Sequence, residues 1–289
     1  MCRWNAWYGQ PLAIDELLYR TDHGLIDQSL HSRMGVETTN GDGFGLGWYG
    51  GGEGPALYRS IAPAWGDANL RELAAHVQSP LFLAHVRATT GTAIQQTNCH
   101  PFRHGRWLFV HNGVINGFHA MRRDLMLAVD PALFPSIEGS TDSEVLFHLA
   151  LTFGLDGDPV GALERAVGFV EATALRHGID GAVQASMGLS DGERLWAFRY
   201  STEHSSRTLF MSRDADSIKA LHPENPRLQR LRGEDRVVVS EPLADLTGVW
   251  HKIPEATVLV VQPGADEQLA FRPHFERAAG NGATVSAPS

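Results

Sequence analysis

Cysteine is scarce in this 289-residue chain, which contains only Cys2 and Cys99. Two thiols cannot build a disulfide framework or an all-cysteine zinc site, so we expect a reducing, cytoplasmic setting. Positive charge is not in excess either, since the net charge is −9, and this removes general electrostatic attraction to nucleic acid or anionic membranes. No apolar run approaches the roughly 18 residues that span a bilayer, and no basic-then-apolar signal opens the sequence.

Nucleotide-binding motifs are also missing. The segment 41–47 has a glycine at every second position, but it matches neither G-x-G-x-x-G nor a Walker pattern with its lysine. We therefore expect no phosphate cradle and no cofactor. Alternate glycines at the start of a strand instead permit close approach of a ligand or of another strand.

Cys99 follows Asn98 and precedes His100 and Pro101. It could be a papain-like nucleophile with a distant histidine, or a metal ligand together with a nearby histidine. Pro101 and Gly105 argue against a helix that would place His100 and His104 on one face. We interpret Cys99 as a buried structural thiol and predict no metal site.

Apolar patterning divides the chain into strands, then helices, then strands. Strands are predicted at 2–8 (stopped by Gly9-Gln10-Pro11), 81–87, 106–111, 183–190, 194–200, 207–212, 235–241 and 256–262. Helices are predicted at 68–78 with Asp67 as N-cap, from 118 to 129, through 151 after a Thr141–Glu144 capping box, and from Pro159 to a stop at Gly178. This order predicts one α+β layered domain over 2–275, whose helices cover two packed sheets, and a disordered tail over 276–289.

The position of Cys2, directly behind Met1, is itself informative. Removal of Met1 would leave one residue holding both a thiol and a free α-amine. An α-amine titrates near about 7.7–8.0 and a thiol near about 8.5, so the amine could accept the thiol proton. Because the thiolate is the attacking species, Cys2 is a candidate nucleophile.

Three further segments offer groups that such a nucleophile needs. Arg87 ends an apolar strand, and its planar guanidinium fits a carboxylate. The amides of Asn112 and Gly113 follow another strand and could donate to a developing oxyanion. Asp142, in the first turn of a capped helix, could hold an ammonium group.

Together these segments resemble the class II glutamine amidotransferases, the N-terminal-nucleophile (Ntn) amidohydrolase type. The resemblance spans nearly the whole chain and is closest to short stand-alone members related to the γ-glutamyl hydrolase of ergothioneine synthesis. The segments that carry it are Met1-Cys2-Arg3, Asn40-Gly41-Asp42-Gly43-Phe44-Gly45, His85-Val86-Arg87-Ala88-Thr89, Asn98-Cys99-His100-Pro101-Phe102, His111-Asn112-Gly113 and Ser140-Thr141-Asp142-Ser143-Glu144.

The resemblance implies a four-layer αββα sandwich of two antiparallel sheets. It implies that Cys2 is the nucleophile, that its freed amine is the general base, and that Asn112 and the Gly113 backbone form the oxyanion hole. The intermediate would be a γ-glutamyl thioester.

On the substrate side, the resemblance implies that Arg87 binds the α-carboxylate and Asp142 the α-ammonium. Thr89 and His111, from the same motifs, are expected to contribute to substrate binding. The arginine segment continues as Arg87-Ala88-Thr89-Thr90, not as the Arg-Trp-Ala-Thr-His string of the sugar-transaminase branch, so a different pocket wall is expected there.

Three functions remain open from the sequence. The first is a glutamine amidohydrolase that releases glutamate and delivers ammonia to an acceptor, such as a separate synthase subunit. The second is a stand-alone hydrolase of a larger γ-glutamyl conjugate. The third is a non-catalytic subunit that senses glutamine.

Overall fold

The computed structural model describes residues 2–34, 39–89, 91–244 and 248–275, so the predicted tail 276–289 lies outside the described residues. The strands are β1 (Arg3–Ala13), β2 (Phe44–Trp48), β3 (Ala56–Ser60), β4 (Gln78–Val86), β5 (Phe102–His104), β6 (Trp107–Ile115), β7 (Val183–Ser190), β8 (Leu195–Ser201), β9 (Phe210–Ser212), β10 (Arg236–Val239), β11 (Trp250–Lys252), β12 (Thr257–Val261) and β13 (Glu267–Ala270). The α-helices are α1 (Asp15–Leu18), α2 (Leu25–Leu30), α3 (Ala68–His76), α4 (Phe118–Leu127), α5 (Asp142–Thr152), α6 (Pro159–Arg176) and α7 (Ala215–Leu221).

The strands form two antiparallel sheets. The first has seven strands in the order β11-β9-β10-β1-β4-β2-β3, and the second has six in the order β13-β12-β8-β7-β6-β5. A cluster that includes Trp4, Leu83, Leu108 and Val110 lies between them. The sheets therefore pack face to face through the side chains that point inward from each pleat.

Helices cover both outer faces. Helices α4, α5 and α6 pack on the second sheet in a cluster that includes Phe109 and Phe147, whereas α1, α2, α3 and α7 pack on the first sheet around residues such as Trp7 and Phe82. The layers are thus α, β, β and α, which confirms the fold that the resemblance implied.

The prediction that β1 stops at Gly9-Gln10-Pro11 is wrong. The strand runs to Ala13, and its register with β4 shifts between Tyr8 and Leu12. This irregularity accommodates the proline, which has no N–H to give to a ladder, and the Gln10 N–H is satisfied instead by the Asp235 carboxylate at 2.8 Å.

The helix starts agree with the sequence in position. Asp67 accepts from the Leu70 N–H at the start of α3, and Thr141 accepts from the Glu144 N–H at the start of α5. The reciprocal half of the capping box does not form, because the Glu144 carboxylate accepts instead from the N–H groups of Glu138 and Gly139, both at 2.8 Å. Glu144 therefore stabilises the loop that leads into α5.

The alternating glycines lie in β2 and in the segment that leads into it, where they permit close packing. A Cβ on Gly45 would lie 2.1 Å from the His100 carbonyl oxygen, and one on Gly43 would lie 2.7 Å from the Cys99 sulfur. The segment around Cys99 can therefore pack directly on the backbone of β2, as the glycine pattern predicted.

Candidate active site

A cavity of about 270 Å³ opens where β1 begins and where β4 and β6 end, beside the first turn of α5. Its lining brings together residues that are remote in sequence: Cys2, Arg87, Ala88, Thr89, Thr92, His100, His111, Gly113, Val114, Ile115, Asn116, Gly117, Phe118, His119, Thr141, Asp142 and Ser143. Every candidate residue predicted from the sequence is in this lining except Asn112.

Cys2 precedes β1, whose Arg3 pairs with Val86 of β4, so the thiol lies beside the end of β4. Its sulfur is partly buried and donates to the Ala88 carbonyl at 3.5 Å. Burial raises the pKa of the Cys2 thiol, and this rise is opposed by the hydrogen bond to Ala88 and by the positive charge of Arg87. A base within reach is therefore needed to generate the thiolate near neutral pH.

Arg87 is 3% exposed and has only uncharged acceptors. It donates to the Asp42 carbonyl at 3.3 Å, to the hydroxyls of Thr89 (3.2 Å) and Thr92 (2.6 Å), and to the Ala93 carbonyl at 3.2 Å. Among the described residues it forms no ion pair. A buried guanidinium is normally paired with an anion, so this cation at the cavity wall is suited to a ligand carboxylate.

Asp142 is the matching anion. Its carboxylate accepts from the Ile115 N–H at 2.8 Å, from the Ser143 N–H at 2.7 Å and from the Ser143 hydroxyl at 3.1 Å. These donors fix the carboxylate at the start of α5, where the helix dipole favours negative charge. No cationic side chain in the described ranges pairs with it, which leaves it available to an ammonium group.

The Gly113 N–H points toward the cavity. Beyond residue 109, β6 has no partner strand on its β5 side within the part of the chain that is described. The Ile115 N–H points to that open side and donates to Asp142, whereas the Asn116 N–H bonds back to Ala182 next to β7. Because N–H groups alternate along an antiparallel strand, the Gly113 N–H shares the direction of the Ile115 N–H and points to the open side of β6.

Asn112 is 4% exposed and sits on the face of β6 that Leu108 and Val110 turn toward the first sheet. Alternation along β1 gives Cys2 the same layer, since Trp4 and Ala6 also belong to that cluster. The Asn112 side chain therefore shares the inter-sheet layer with the thiol, although it does not form part of the cavity surface.

Thr89 and His111 line the cavity but are also engaged with the protein. The Thr89 hydroxyl donates to the Thr92 carbonyl at 2.8 Å. The Nδ1 atom of His111 lies 2.8 Å from the Ser143 hydroxyl, which links this ring to Asp142. Burial lowers the pKa of His111, although the nearby Asp142 carboxylate opposes this effect, so the ring is neutral near pH 7.

Two further buried histidines, His85 and His100, lie next to the cavity. His100 lines the cavity, and its ring packs in a tilted arrangement on that of His85, which is fully buried, with 4.3 Å between the ring centroids. Neither ring has a hydrogen-bond partner in the described structure. Burial lowers the pKa of His85 to about 3 and that of His100 well below its ordinary value, with the neighbouring Arg87 charge adding to both effects.

Sequence reasoning missed several site residues. Asp42 accepts from the Thr89 N–H at 2.8 Å and so holds the segment after β4, while Ser143 connects His111 to Asp142. His100 was considered only as a metal ligand. Each of these residues lies inside a quoted motif segment, and that proximity was the one available signal, since the contacts themselves arise from the fold.

Cys99, by contrast, is fully buried. Its sulfur donates to the carbonyl of Ser60 at 3.4 Å, and it does not line the cavity. These contacts fit the interpretation of a structural thiol. Among the described residues no group of three or more His, Cys, Asp or Glu side chains could hold a metal ion.

Comparisons with known proteins identify the family of this chain. The family model for class-II glutamine amidotransferases matches residues 19–283. The Saccharomyces cerevisiae protein named probable glutamine amidotransferase DUG3 is 33% identical over 292 residues, which covers 91% of this chain and 82% of the yeast protein. Gamma-glutamyl-hercynylcysteine sulfoxide hydrolase of Mycobacterium tuberculosis strain H37Rv is 30% identical over 263 residues, covering 90% of this chain and 93% of the mycobacterial protein.

Solved structures agree in fold. A glutamine aminotransferase class-II domain protein from Silicibacter pomeroyi is 33% identical with a TM-score of 0.70 and covers 94% of this chain and 100% of its own. Glutamine phosphoribosylpyrophosphate amidotransferase from B. subtilis has a TM-score of 0.64 at 16% identity, covering 96% of this chain and 50% of its own. The second likeness concerns the fold alone. In the described part of the chain, no helix is both long and apolar enough to cross a bilayer.

Proposed function

The chain belongs to the class II glutamine amidotransferases, and on that basis we propose that it hydrolyses the γ-amide of glutamine or of a γ-glutamyl amide through a thioester on Cys2. The observation that carries this proposal is the pair of unmatched charges in one cavity. Arg87 and Asp142 each lack an ionic partner in the described ranges, and the thiol of Cys2 lines the same cavity. An α-amino acid end bears a carboxylate and an ammonium, which these two residues complement.

The reaction begins at Cys2 once it is the N-terminal residue. Burial has raised the pKa of the thiol, so a base is needed to remove its proton. Burial also makes the cavity histidines weaker bases. The α-amine of Cys2 therefore takes the thiol proton. The thiolate then attacks the γ-carbonyl carbon. The resulting oxyanion accepts hydrogen bonds from the Asn112 amide and from the Gly113 N–H, which points toward the cavity.

Collapse of this intermediate breaks the C–N bond. The Cys2 ammonium protonates the departing amine, which leaves as ammonia or as a larger amine. Water, deprotonated by the same α-amine, attacks the γ-glutamyl thioester and releases glutamate, and the proton returns to the thiolate. Loss of one oxyanion donor is expected to lower kcat by about 10²–10³-fold.

The test is turnover combined with intact mass. We expect Cys2→Ala to abolish glutamate release, because no other group in the cavity can form the thioester. Treatment with 6-diazo-5-oxonorleucine, a glutamine-like electrophile, is expected to add one adduct to the wild-type protein at Cys2. The same spectrum reports whether the residue that precedes Cys2 has been removed.

Cys99→Ser is the matched control, because Cys99 is the other thiol and lies outside the cavity. It is expected to retain both turnover and labelling. Turnover by Cys2→Ala would refute the mechanism. Glutamine binding by the wild type without turnover or labelling would favour the glutamine-sensing alternative.

A larger γ-glutamyl conjugate is the second candidate substrate. It is favoured by the names of the mycobacterial relatives, which are gamma-glutamyl-hercynylcysteine sulfoxide hydrolases, and by the polar Asn116 and His119 at the cavity, beyond the groups that glutamine requires. Comparison of kcat/KM for glutamine with that for γ-glutamyl peptides and γ-glutamyl anilides decides between them. A ratio that favours the conjugates by more than about tenfold, or 1.4 kcal/mol, would assign the larger leaving group.

The destination of the amine is a separate part of the proposal. If glutamine is the substrate, a separate synthase subunit could receive the ammonia, and stimulation of glutaminase activity by such a partner would support this. The two free cysteines support a reducing, cytoplasmic setting.

A further inference from the structure

A buried ionic network lies directly behind the nucleophile. Arg3, which is 3% exposed, donates from Nη1 to the Cys2 carbonyl at 2.9 Å and from Nε to the Glu241 carboxylate at 2.6 Å. Its Nη2 atom also donates to the Ser32 hydroxyl and to the Met34 carbonyl. One guanidinium therefore connects the Cys2 backbone to two other parts of the chain, the segment that holds Ser32 and Met34 and the segment that holds Glu241.

Glu241 anchors the other end of this connection. Its carboxylate accepts from the backbone N–H groups of Arg33 at 2.8 Å and Met34 at 3.1 Å, and from the Ser32 hydroxyl at 3.1 Å. Burial opposes its ionisation, but hydrogen bonds from His23, from backbone and from Arg3 hold the pKa of Glu241 at about 2. The carboxylate is therefore charged throughout the physiological range.

His23 completes the network. Its Nε2 atom lies 2.7 Å from Glu241, and its Nδ1 atom lies 2.7 Å from the Asp27 carboxylate. A neutral imidazole has only one N–H, so both contacts are hydrogen bonds to ionised carboxylates only when the ring is protonated. The two cations, Arg3 and His23, then balance the two carboxylates.

We propose that Arg3, held by Glu241, is a positioning residue that fixes the Cys2 backbone and thereby aims both its thiol and its amine. This inference rests on the proposed function of Cys2. A residue at a chain terminus is ordinarily free to fray, yet the proposed reaction needs two groups of that residue in one geometry. A displacement of about 1 Å of a reacting group can lower the rate about 10²-fold.

Arg3 does not contact the substrate itself. Successive side chains of a strand point to opposite faces, so Arg3 points away from the inter-sheet layer that Cys2 shares with Trp4. It is absent from the cavity lining. Its effect on the reaction must therefore pass through the Cys2 carbonyl.

Arg3→Lys is the decisive variant. A lysine can keep the charge opposite Glu241, but its point-like ammonium lacks the fork that reaches Cys2 and Ser32 together. We expect kcat for γ-glutamyl hydrolysis to fall by about tenfold or more while KM changes by less than about threefold. Labelling of Cys2 by saturating 6-diazo-5-oxonorleucine is expected to slow in parallel, with little change in Tm.

Arg236→Lys is the matched control. Arg236 makes the same Nε contact, to Asp266 at 2.8 Å, but it pairs with Tyr8 on β1, about 20 Å along the strand from Cys2. The kcat and the Cys2 labelling rate of the Arg236→Lys protein are expected to match those of the wild type. An effect as large here as at Arg3 would show that replacing any ion-paired arginine of this sheet by lysine impairs the enzyme, and it would overturn the inference.

The remaining outcomes are also distinct. Retention of wild-type kcat by a folded Arg3→Lys protein, or a rise in KM alone, would overturn the positioning role. If Arg3→Lys does not fold, Glu241→Gln keeps the shape of the anchor and is read in the same way. Failure of the wild type to hydrolyse any γ-glutamyl amide would refute the proposed function instead.

Discussion

Arg3 and Arg87 are two buried arginines at neighbouring strand ends, and they differ in their partners. Each is 3% exposed, and the strands that carry them pair at Arg3 and Val86. Arg3 is neutralised by Glu241 at 2.6 Å, whereas Arg87 meets only uncharged oxygens in the described structure. Burial of a charge without a counter-ion is unfavourable. A bound anion would therefore lower the free energy cost of burying Arg87.

This difference separates a structural charge from a binding charge. The protein completes the electrostatic environment of Arg3 by itself, and that arginine can act only by holding other parts of the chain. Under the proposed function, a ligand carboxylate completes the environment of Arg87, whose position on the cavity wall gives such a ligand access. The two residues should therefore respond oppositely to substitution in stability and in activity.

The largest effect is expected from Arg3→Met. Removal of one partner leaves Glu241 charged and buried without its guanidinium, which should lower the free energy of unfolding by about 3–5 kcal/mol. Urea denaturation measures this loss. The effects of Arg3→Met and Glu241→Gln should be smaller in combination than their sum, because the two residues share one interaction; simple additivity would contradict the pairing.

Arg87→Met is expected to have its main effect on activity. The variant loses the guanidinium that pairs with the substrate carboxylate. Its kcat/KM for glutamine should therefore fall, and the fall should correspond to about 2–5 kcal/mol of lost transition-state stabilisation. The free energy of unfolding should fall far less than in Arg3→Met, since no buried carboxylate is left unpaired. If Arg87→Met loses as much stability as Arg3→Met but keeps its kcat/KM, Arg87 is a structural charge and the contrast between the two arginines is wrong.

The sequence identified Arg87 but not the role of Arg3, for a physical reason. Arg87 follows a strongly apolar strand, and a cation there contrasts with its surroundings. Arg3 and Glu241 are 238 positions apart, and they meet only because β1 pairs with β10 in the register that sets Asn5 opposite Val239. No local pattern encodes that register.

The same limit explains the other differences in the fold. The strand β7 was predicted with its observed bounds, because the run from Val183 to Ser190 ends at a strong Asp191-Gly192 turn. Strand β1 was predicted to end at residue 8, before Gly9-Gln10-Pro11, since a bulge that removes the need for a proline N–H depends on the partner strand. The Gly113 amide was predicted as a donor, but its direction follows from the open edge of β6, which only the sheet order reveals.

Asp142→Asn should have a smaller effect, which extends the comparison to the second unmatched charge. The variant keeps an oxygen acceptor for the Ile115 N–H but loses the charge that an ammonium needs. Its kcat/KM for glutamine should therefore fall, and the fall should correspond to about 1.5–3 kcal/mol of lost transition-state stabilisation. The analogue of glutamine that lacks its α-amino group should be hydrolysed about equally by both proteins. Asp158→Asn, at the N-cap of α6, is the control. An equal loss with both substrates would show that Asp142 acts on the fold and not on the ammonium.

The smallest effect concerns the pH dependence of the Arg3 network. Burial alone would lower the pKa of His23, and the positive charge of Arg33 acts in the same direction, but hydrogen bonds to Glu241 and Asp27 outweigh both and raise it above 6.5. A raised pKa contributes stability that is complete below pH 6.5 and is lost as the pH rises through the folded-state value. Thermal unfolding should therefore show Tm falling on the alkaline side, by about 2–4 °C for each kcal/mol lost.

His23→Gln should flatten this alkaline decline, because its amide does not titrate. His31→Gln is the matched control: His31 lies 3.8 Å from the same Asp27 carboxylate but its side chain is 78% exposed, and its loss should leave the decline unchanged. Once the pH exceeds the raised folded-state pKa of His23, the neutral ring can donate to only one of its two carboxylates, and its positive charge beside Glu241 is lost. Arg87, which has no titrating partner of this kind, should keep its affinity for a carboxylate over the same range. A KM for glutamine that rises with the same midpoint as the fall in Tm would mean that the two arginines are not independent.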